Sequence, residues 1–303
     1  MRIVGSLTTI PGRYPKLLRT LDSLLLQDFK LDTIYLCIPK KSKRLNKYYD
    51  KLDENITNKC EIVEIETDYG PCTKLIGGLL MEHDPETIII TFDDDVIYDS
   101  KLVRSLVNYS ILYPEDAIGS TGILFGNPFP FYSSISNSNI KWNLINGINL
   151  NNDGKFVDVL CGFSGVLYKR KFFPSSITNF LSYPLMDDNV YINDDIYISG
   201  YIDKFGVKRR VVKDIPQPNS KKLKDKQIDI HDGNEISYDK LKFLSRFEKA
   251  KKMMISWGFF QNPEPLPYDQ TIVGVISILF IFCLLILFGF FLSLFYQIPS
   301  LYF

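Results

Sequence analysis

Cysteine is sparse and unpaired in this chain. Cys37, Cys60, Cys72, Cys161 and Cys283 are scattered over 303 residues with no CxxC and no repeated spacing, which predicts reduced, mostly buried thiols and speaks against a zinc site. Net charge is also missing: Lys plus Arg and Asp plus Glu both number 35, so nothing draws the whole chain toward nucleic acid, and an anionic ligand must be held locally. The opening "MRIVGSLTTIPGR" has no apolar core of signal-peptide length, so secretion by a cleaved leader is not expected. No internal repeat is visible.

Apolar residues are plentiful. A hydrophobic content of 46% supports a real core and excludes disorder as the main state. Residues 271–295, "TIVGVISILFIFCLLILFGFFLSLF", carry no charge and as a helix would span about 37 Å at ~1.5 Å per residue. A membrane-spanning helix is the expectation, because a soluble helix of that length shows a polar face. With eight residues after it, the span would insert after synthesis and leave the preceding domain in the cytosol. Arg246, Lys249, Lys251 and Lys252 on the amino-terminal side lean the same way, and the sequons at Asn55 and Asn108 are then chance matches.

The first hundred residues alternate between strand and helix patterns. Strands are predicted at 2–9, 33–38, 61–66 and 87–92, and helices at 15–27, 73–83 and 99–113. Such alternation implies an α/β fold, a mostly parallel sheet flanked by helices. The organisation expected is a domain over 1–235, a helix near 237–254 and a Pro-rich juxtamembrane linker within 236–270, and the transmembrane helix 271–295. Residues 115–215 are less regular, with loops suited to an acceptor-side lid.

Asp93, Asp94 and Asp95 follow the apolar run Ile88-Ile89-Ile90. Adjacent carboxylates repel, and their burial is costly without compensation. A cation relieves both. Alternate residues at a strand end point the same way, so Asp93 and Asp95 can share one hard ion, Mn²⁺ or Mg²⁺, while Asp94 faces elsewhere. Open parallel sheets bind ligands at the carboxyl ends of their strands, which is where this cluster falls.

These residues resemble the glycosyltransferases of the GT-A fold, a Rossmann-like, family-2-like group in which a DxD after a central strand binds a divalent metal and a nucleotide-sugar diphosphate. "SLTTIPGRYPKLLRTLDSLLLQ" looks like the opening strand, nucleotide loop and first helix, and "TDYGPCTKL" is similar to the segment before the DxD strand in viral and bacterial members. "CGFSGVLYKRKFF" resembles the acceptor-side glycine loop, and "NDDIYISGYI" the acidic motif that carries the base of inverting members. The resemblance covers about residues 1–235.

It implies a nucleotide-sugar donor, most often a UDP-sugar, contacted by Thr8, Pro11, Arg13, Asp68, Lys74, Asp93 and Asp94. It implies a metal on Asp93 and Asp95, with His231 of "DIHDG" completing the set, and Asp195, with Asp194 beside it, as the catalytic base. Gly162, Gly165 and Trp142 fall on the acceptor side. The acceptor is a glycan, lipid-linked sugar or protein hydroxyl near a membrane, and no nucleic acid is involved. Two alternatives stand beside it: a nucleotidyltransferase, for which "TTIPGRYPK" is short of glycine, and a catalytically silent tail-anchored tether.

Overall fold

The alternating pattern becomes a layered α/β body. In chain order it comprises β1 (Ile3–Leu7), α1 (Tyr14–Leu25), β2 (Thr33–Pro39), β3 (Lys41–Ser42), β4 (Lys47–Tyr48), α2 (Glu54–Thr57), β5 (Glu61–Ile65), α3 (Thr73–Met81) and β6 (Ile88–Phe92). There follow α4 (Leu102–Leu112), β7 (Asp116–Gly119), β8 (Thr121–Leu124), β9 (Asn143–Asn146), β10 (Gly154–Phe156), β11 (Val159–Leu160) and β12 (Val166–Lys169). The last elements are α5 (Thr178–Ser182), α6 (Asp188–Tyr191), α7 (Asp194–Asp203), β13 (Lys208–Val212) and α8 (Lys240–Ser256). This computed structural model describes residues 1–125, 143–218 and 240–261. Trp142, His231 and the stretch 271–295 lie outside the described residues, among which no helix is long and apolar enough to cross a membrane.

The main sheet has eight strands in the order β10-β13-β7-β12-β6-β1-β2-β5. Strands β6, β1, β2 and β5 are mutually parallel, as are β7 and β13. The departure from an all-parallel sheet is β12, which enters antiparallel between β6 and β7, with β10 antiparallel at the edge. A smaller antiparallel sheet, β11-β8-β9, and the β3-β4 hairpin complete the strands. The helix expected near 237–254 is α8, and it packs on α6 and α7.

Both faces of the sheet are covered, as a continuous apolar strand requires. On one face Ile88, Ile90 and Phe92 of β6 join Leu17, Leu21 and Leu24 of α1 and Leu102, Val103 and Leu106 of α4 in one core. On the other, Ile89 meets α3. A Cβ on Gly78 would stand 2.7 Å from Ile89 Cγ2, and one on Gly77 3.0 Å from Cys37 Cβ. Two consecutive glycines weaken a helix locally, yet here they let α3 lie directly on the strands.

Register then decides what meets at the strand ends. Leu7 pairs with Phe92, so the loop after β1 and the aspartates after β6 leave the sheet side by side. Val166 pairs with Thr91 on the antiparallel side, which brings the turn preceding β12 to the same edge.

Candidate functional site

At that edge three consecutive aspartates take three different environments. Asp94 is buried: it accepts a hydrogen bond from Thr9 Oγ1 at 2.5 Å and forms an ion pair with Arg13. Asp95 Oδ2 lies 3.3 Å from Arg13 Nη2, and Asp93 Oδ1 lies 2.7 Å from Lys74 Nζ. The side chains of Asp93 and Asp95 keep 31% and 33% of their surface open, against 6% for Asp94. Only the first and third of the three therefore have room for a ligand.

Arg13 sits at the amino terminus of α1, just after the loop 8–12, and is itself buried. Thr9, absent from the residues singled out in the sequence, makes the contact to Asp94, while Thr8 lies beside it half-buried. Pro11 and Gly12 line a cleft of about 480 Å³ with Asn46, Lys47, Tyr48 and Asp50. Asp68 accepts the backbone N–H groups of Gly70 and Lys43, each at 2.7 Å. It thereby holds the turn in which Gly70 takes φ +68°, with the backbone oxygen of Tyr191 only 2.4 Å from where a Cβ would stand.

That turn leads into α3, whose second residue is Lys74. Its ammonium is ion-paired with Asp93 Oδ1 at 2.7 Å and Asp194 Oδ2 at 2.8 Å, with 5% of its side chain exposed. Burial pulls a lysine pKa down, but the negative charges of Asp194, Asp93 and Asp195 outweigh it and hold Lys74 well above its ordinary value.

Asp194 and Asp195 open α7, where acidic side chains suit the positive end of the helix. Neither serves as its cap, for the N-cap position is Asn193. Asp194 is committed to Lys74. Asp195 Oδ1 accepts the Gly162 N–H at 2.9 Å. Burial and the neighbouring Asp194 charge push the Asp195 carboxyl up to about 8, against the pull of Lys74. Asp95 rises to about 6, through burial and then through Asp94 and Asp93, with Arg13 opposing.

Gly162 matters through proximity and not through its backbone angle, which is not left-handed. A Cβ there would stand 2.6 Å from Asp195 Oδ1 and 2.7 Å from Lys74 Nζ, so the glycine admits the protein's own side chains. Gly165, at φ +83°, supplies the left-handed residue that turns the chain into β12. Tyr98 fastens the two sides together: its hydroxyl accepts the Asp93 N–H at 2.8 Å and donates to the Phe163 carbonyl at 3.3 Å. Nothing in the local pattern of "VIYDS" marks Tyr98 for that task.

Gly162→Ala is expected to displace the charged ends of Asp195 and Lys74 instead of the backbone. The predicted result is a small loss of stability, about 1 kcal/mol, with turnover reduced on the order of 100-fold. Melting temperature and kcat measured on one preparation check this, and unaltered turnover would contradict the close contact.

With every group ionised, Asp93, Asp94, Asp95, Asp194 and Asp195 face Arg13 and Lys74, with the charge of Lys16 also felt at Asp95, which leaves an excess of negative charge that a divalent ion would offset. Among the described residues no group of three or more His, Cys, Asp or Glu side chains converges on a metal-sized point. Two open carboxylates fit a hard oxygen-seeking cation whose remaining positions come from a substrate. The four described cysteines have free thiols, and burial raises Cys72 and Cys161, nearest the cluster, well above the ordinary thiol range.

Fold and site together define a mixed α/β domain with a cluster of carboxylates at the carboxyl edge of its parallel strands. No family model matches the chain, and no curated protein does. Among solved structures it is similar to one described as the crystal structure of S. aureus TarS 1-349, at 13% sequence identity and a TM-score of 0.43, the match covering 72% of this chain and 60% of that one.

Proposed function

We propose that this chain is a nucleotide-sugar-dependent glycosyltransferase of the GT-A type, moving a sugar from a donor, most suitably a UDP-sugar, to a hydroxyl acceptor with inversion. The observation that carries the reading is the meeting, through Lys74 and Gly162, of a partly open carboxylate pair at the end of β6 with the acid pair that begins α7. Sugar transfer needs both: charge to steady a departing diphosphate, and a base for the acceptor hydroxyl.

In this reading Asp93 and Asp95 hold Mn²⁺ or Mg²⁺, which when bound neutralises charge on the leaving diphosphate. Arg13 fixes the spacing of Asp94 and Asp95. Asp195 is held by the Gly162 N–H at one oxygen and takes the acceptor proton on the other. A single displacement with one base inverts the anomeric carbon. His231 is assigned to the metal by resemblance alone, and Trp142 to the acceptor by the stacking face that an aromatic ring offers a sugar. Residues 271–295 anchor the domain on the cytosolic face of a membrane, where a lipid-linked sugar or a protein supplies the acceptor.

The test is release of free nucleotide by the full chain in detergent, with a panel of nucleotide sugars, an acceptor extract and Mn²⁺. Metal-dependent release from one donor is expected. Binding of a donor without turnover would favour the silent tether, and incorporation of sugar phosphate into nucleotide sugar would favour a nucleotidyltransferase.

A further inference from the structure

We infer that Lys74 is a positioning residue, a buried strut that sets the separation between the cation-side carboxylate Asp93 and the base-bearing first turn of α7, and not a contact for the donor's phosphates. The inference rests on the transferase reading and departs from the donor contact expected of this lysine from the sequence.

A phosphate-binding lysine must present its ammonium to solvent, but this one has 5% of its side chain exposed, and its Nζ is closed in by Asp93, Asp194 and the backbone at Gly162. The ammonium donates to Asp93 Oδ1 at 2.7 Å and is ion-paired with Asp194 Oδ2 at 2.8 Å, two carboxylates from segments a hundred residues apart. Of those carboxylates, Asp93 is a third open while Asp194 is almost covered. The lysine therefore joins a residue able to receive a ligand to one with no other charged partner among the described residues.

Position in the fold explains why a lysine serves. Asp93 leaves β6 and Asp194 opens α7, and no strand pairing links the two segments. The turn ending at Cys72 delivers α3 between them. An arginine is wider, and the slot is already so narrow that one added carbon at Gly162 would stand 2.7 Å from Nζ. Charge alone would not suffice there.

Lys74→Met, Lys74→Arg and Asp194→Asn in the full chain test this, with UDP and Mn²⁺ as the binding probes. For Lys74→Met the expected result is UDP affinity within about threefold of the unaltered chain, Mn²⁺ bound at least as tightly because a competing positive charge has gone, and kcat lower on the order of 100-fold from misplacement. Lys74→Arg is expected to leave kcat low. Loss of UDP affinity by tenfold or more with kcat kept, or recovery of kcat by arginine, would overturn the inference in favour of a phosphate contact.

A double-mutant cycle between Lys74 and Asp194 in melting temperature needs neither donor nor turnover, and so separates this inference from the transferase reading. Clear coupling supports the strut, and additive shifts refute it. Should Lys74→Met fail to fold, Asp194→Asn cuts one end of the strut alone, and an unchanged kcat in that variant refutes it equally.

Discussion

Asp195→Asn is expected to reduce sugar transfer by about 10²–10⁴-fold, the contribution usual for a positioned general base, and to raise the melting temperature at pH 8. The first effect follows from geometry, since the amide still fills the space beside Gly162 but cannot take a proton. The second follows from linkage. The Asp195 pKa stands at about 8 in the folded chain against an ordinary 3.8, through burial first and Asp194 second. Between those values the folded state binds the extra proton, so stability falls as pH rises through that window. Asparagine removes the dependence and with it the loss.

The same shift predicts the pH profile of the unaltered chain. A base acts in its deprotonated form, so kcat should climb as pH rises toward about 8 and flatten above it. Rates measured from pH 6 to 9, with melting curves across the same range, check both halves. An asparagine variant with ordinary turnover would remove Asp195 from the chemistry.

The second large effect is expected from the paired change Asp93→Asn and Asp95→Asn. These are the two aspartates after β6 that keep about a third of their surface open, whereas Asp94 is sealed by Thr9 and Arg13. Mn²⁺ with UDP should raise the melting temperature of the unaltered chain, because a ligand that binds only the folded state stabilises it. In the paired variant that rise should vanish, together with metal-dependent nucleotide release. Asp94→Asn is the contrast: its loss breaks the Arg13 pair, so stability should fall while a Mn²⁺ response persists. A paired variant that kept its full Mn²⁺ response would place the cation elsewhere.

Much of the fold can be read from periodicity alone. The runs that become β1, β2 and β6 are mostly apolar, β5 carries apolar residues between two glutamates, and α1 shows its leucines at helical spacing, so these elements fall within a few residues of the predicted bounds. The strand after the glycine loop in "CGFSGVLYKRKFF" is legible, but the reversed direction of β12 is not, because four apolar-rich residues look alike whichever way they run. Of the site, the acid motifs stand out since carboxylates at strand and helix ends need compensation. The roles of Thr9 and Tyr98 do not, because a hydroxyl declares nothing until register and loop geometry bring a partner within reach. Lys74 reads locally as a surface cation, and only the convergence of segments 93 and 194 buries it.

The reversed strand also has a consequence for biosynthesis. β6 and β7 leave the ribosome before β12, yet β12 lies between them in the finished sheet. An emerging chain that ends short of residue 166 thus holds the β6-β1-β2-β5 part of the sheet with β7 not yet joined to it, and the acid pair at 194–195 and strand β13 come later still. Aspartates 93–95, made early, remain without their opposite number until almost the whole domain exists. Assembly of the carboxylate cluster is thus coupled to completion of the domain.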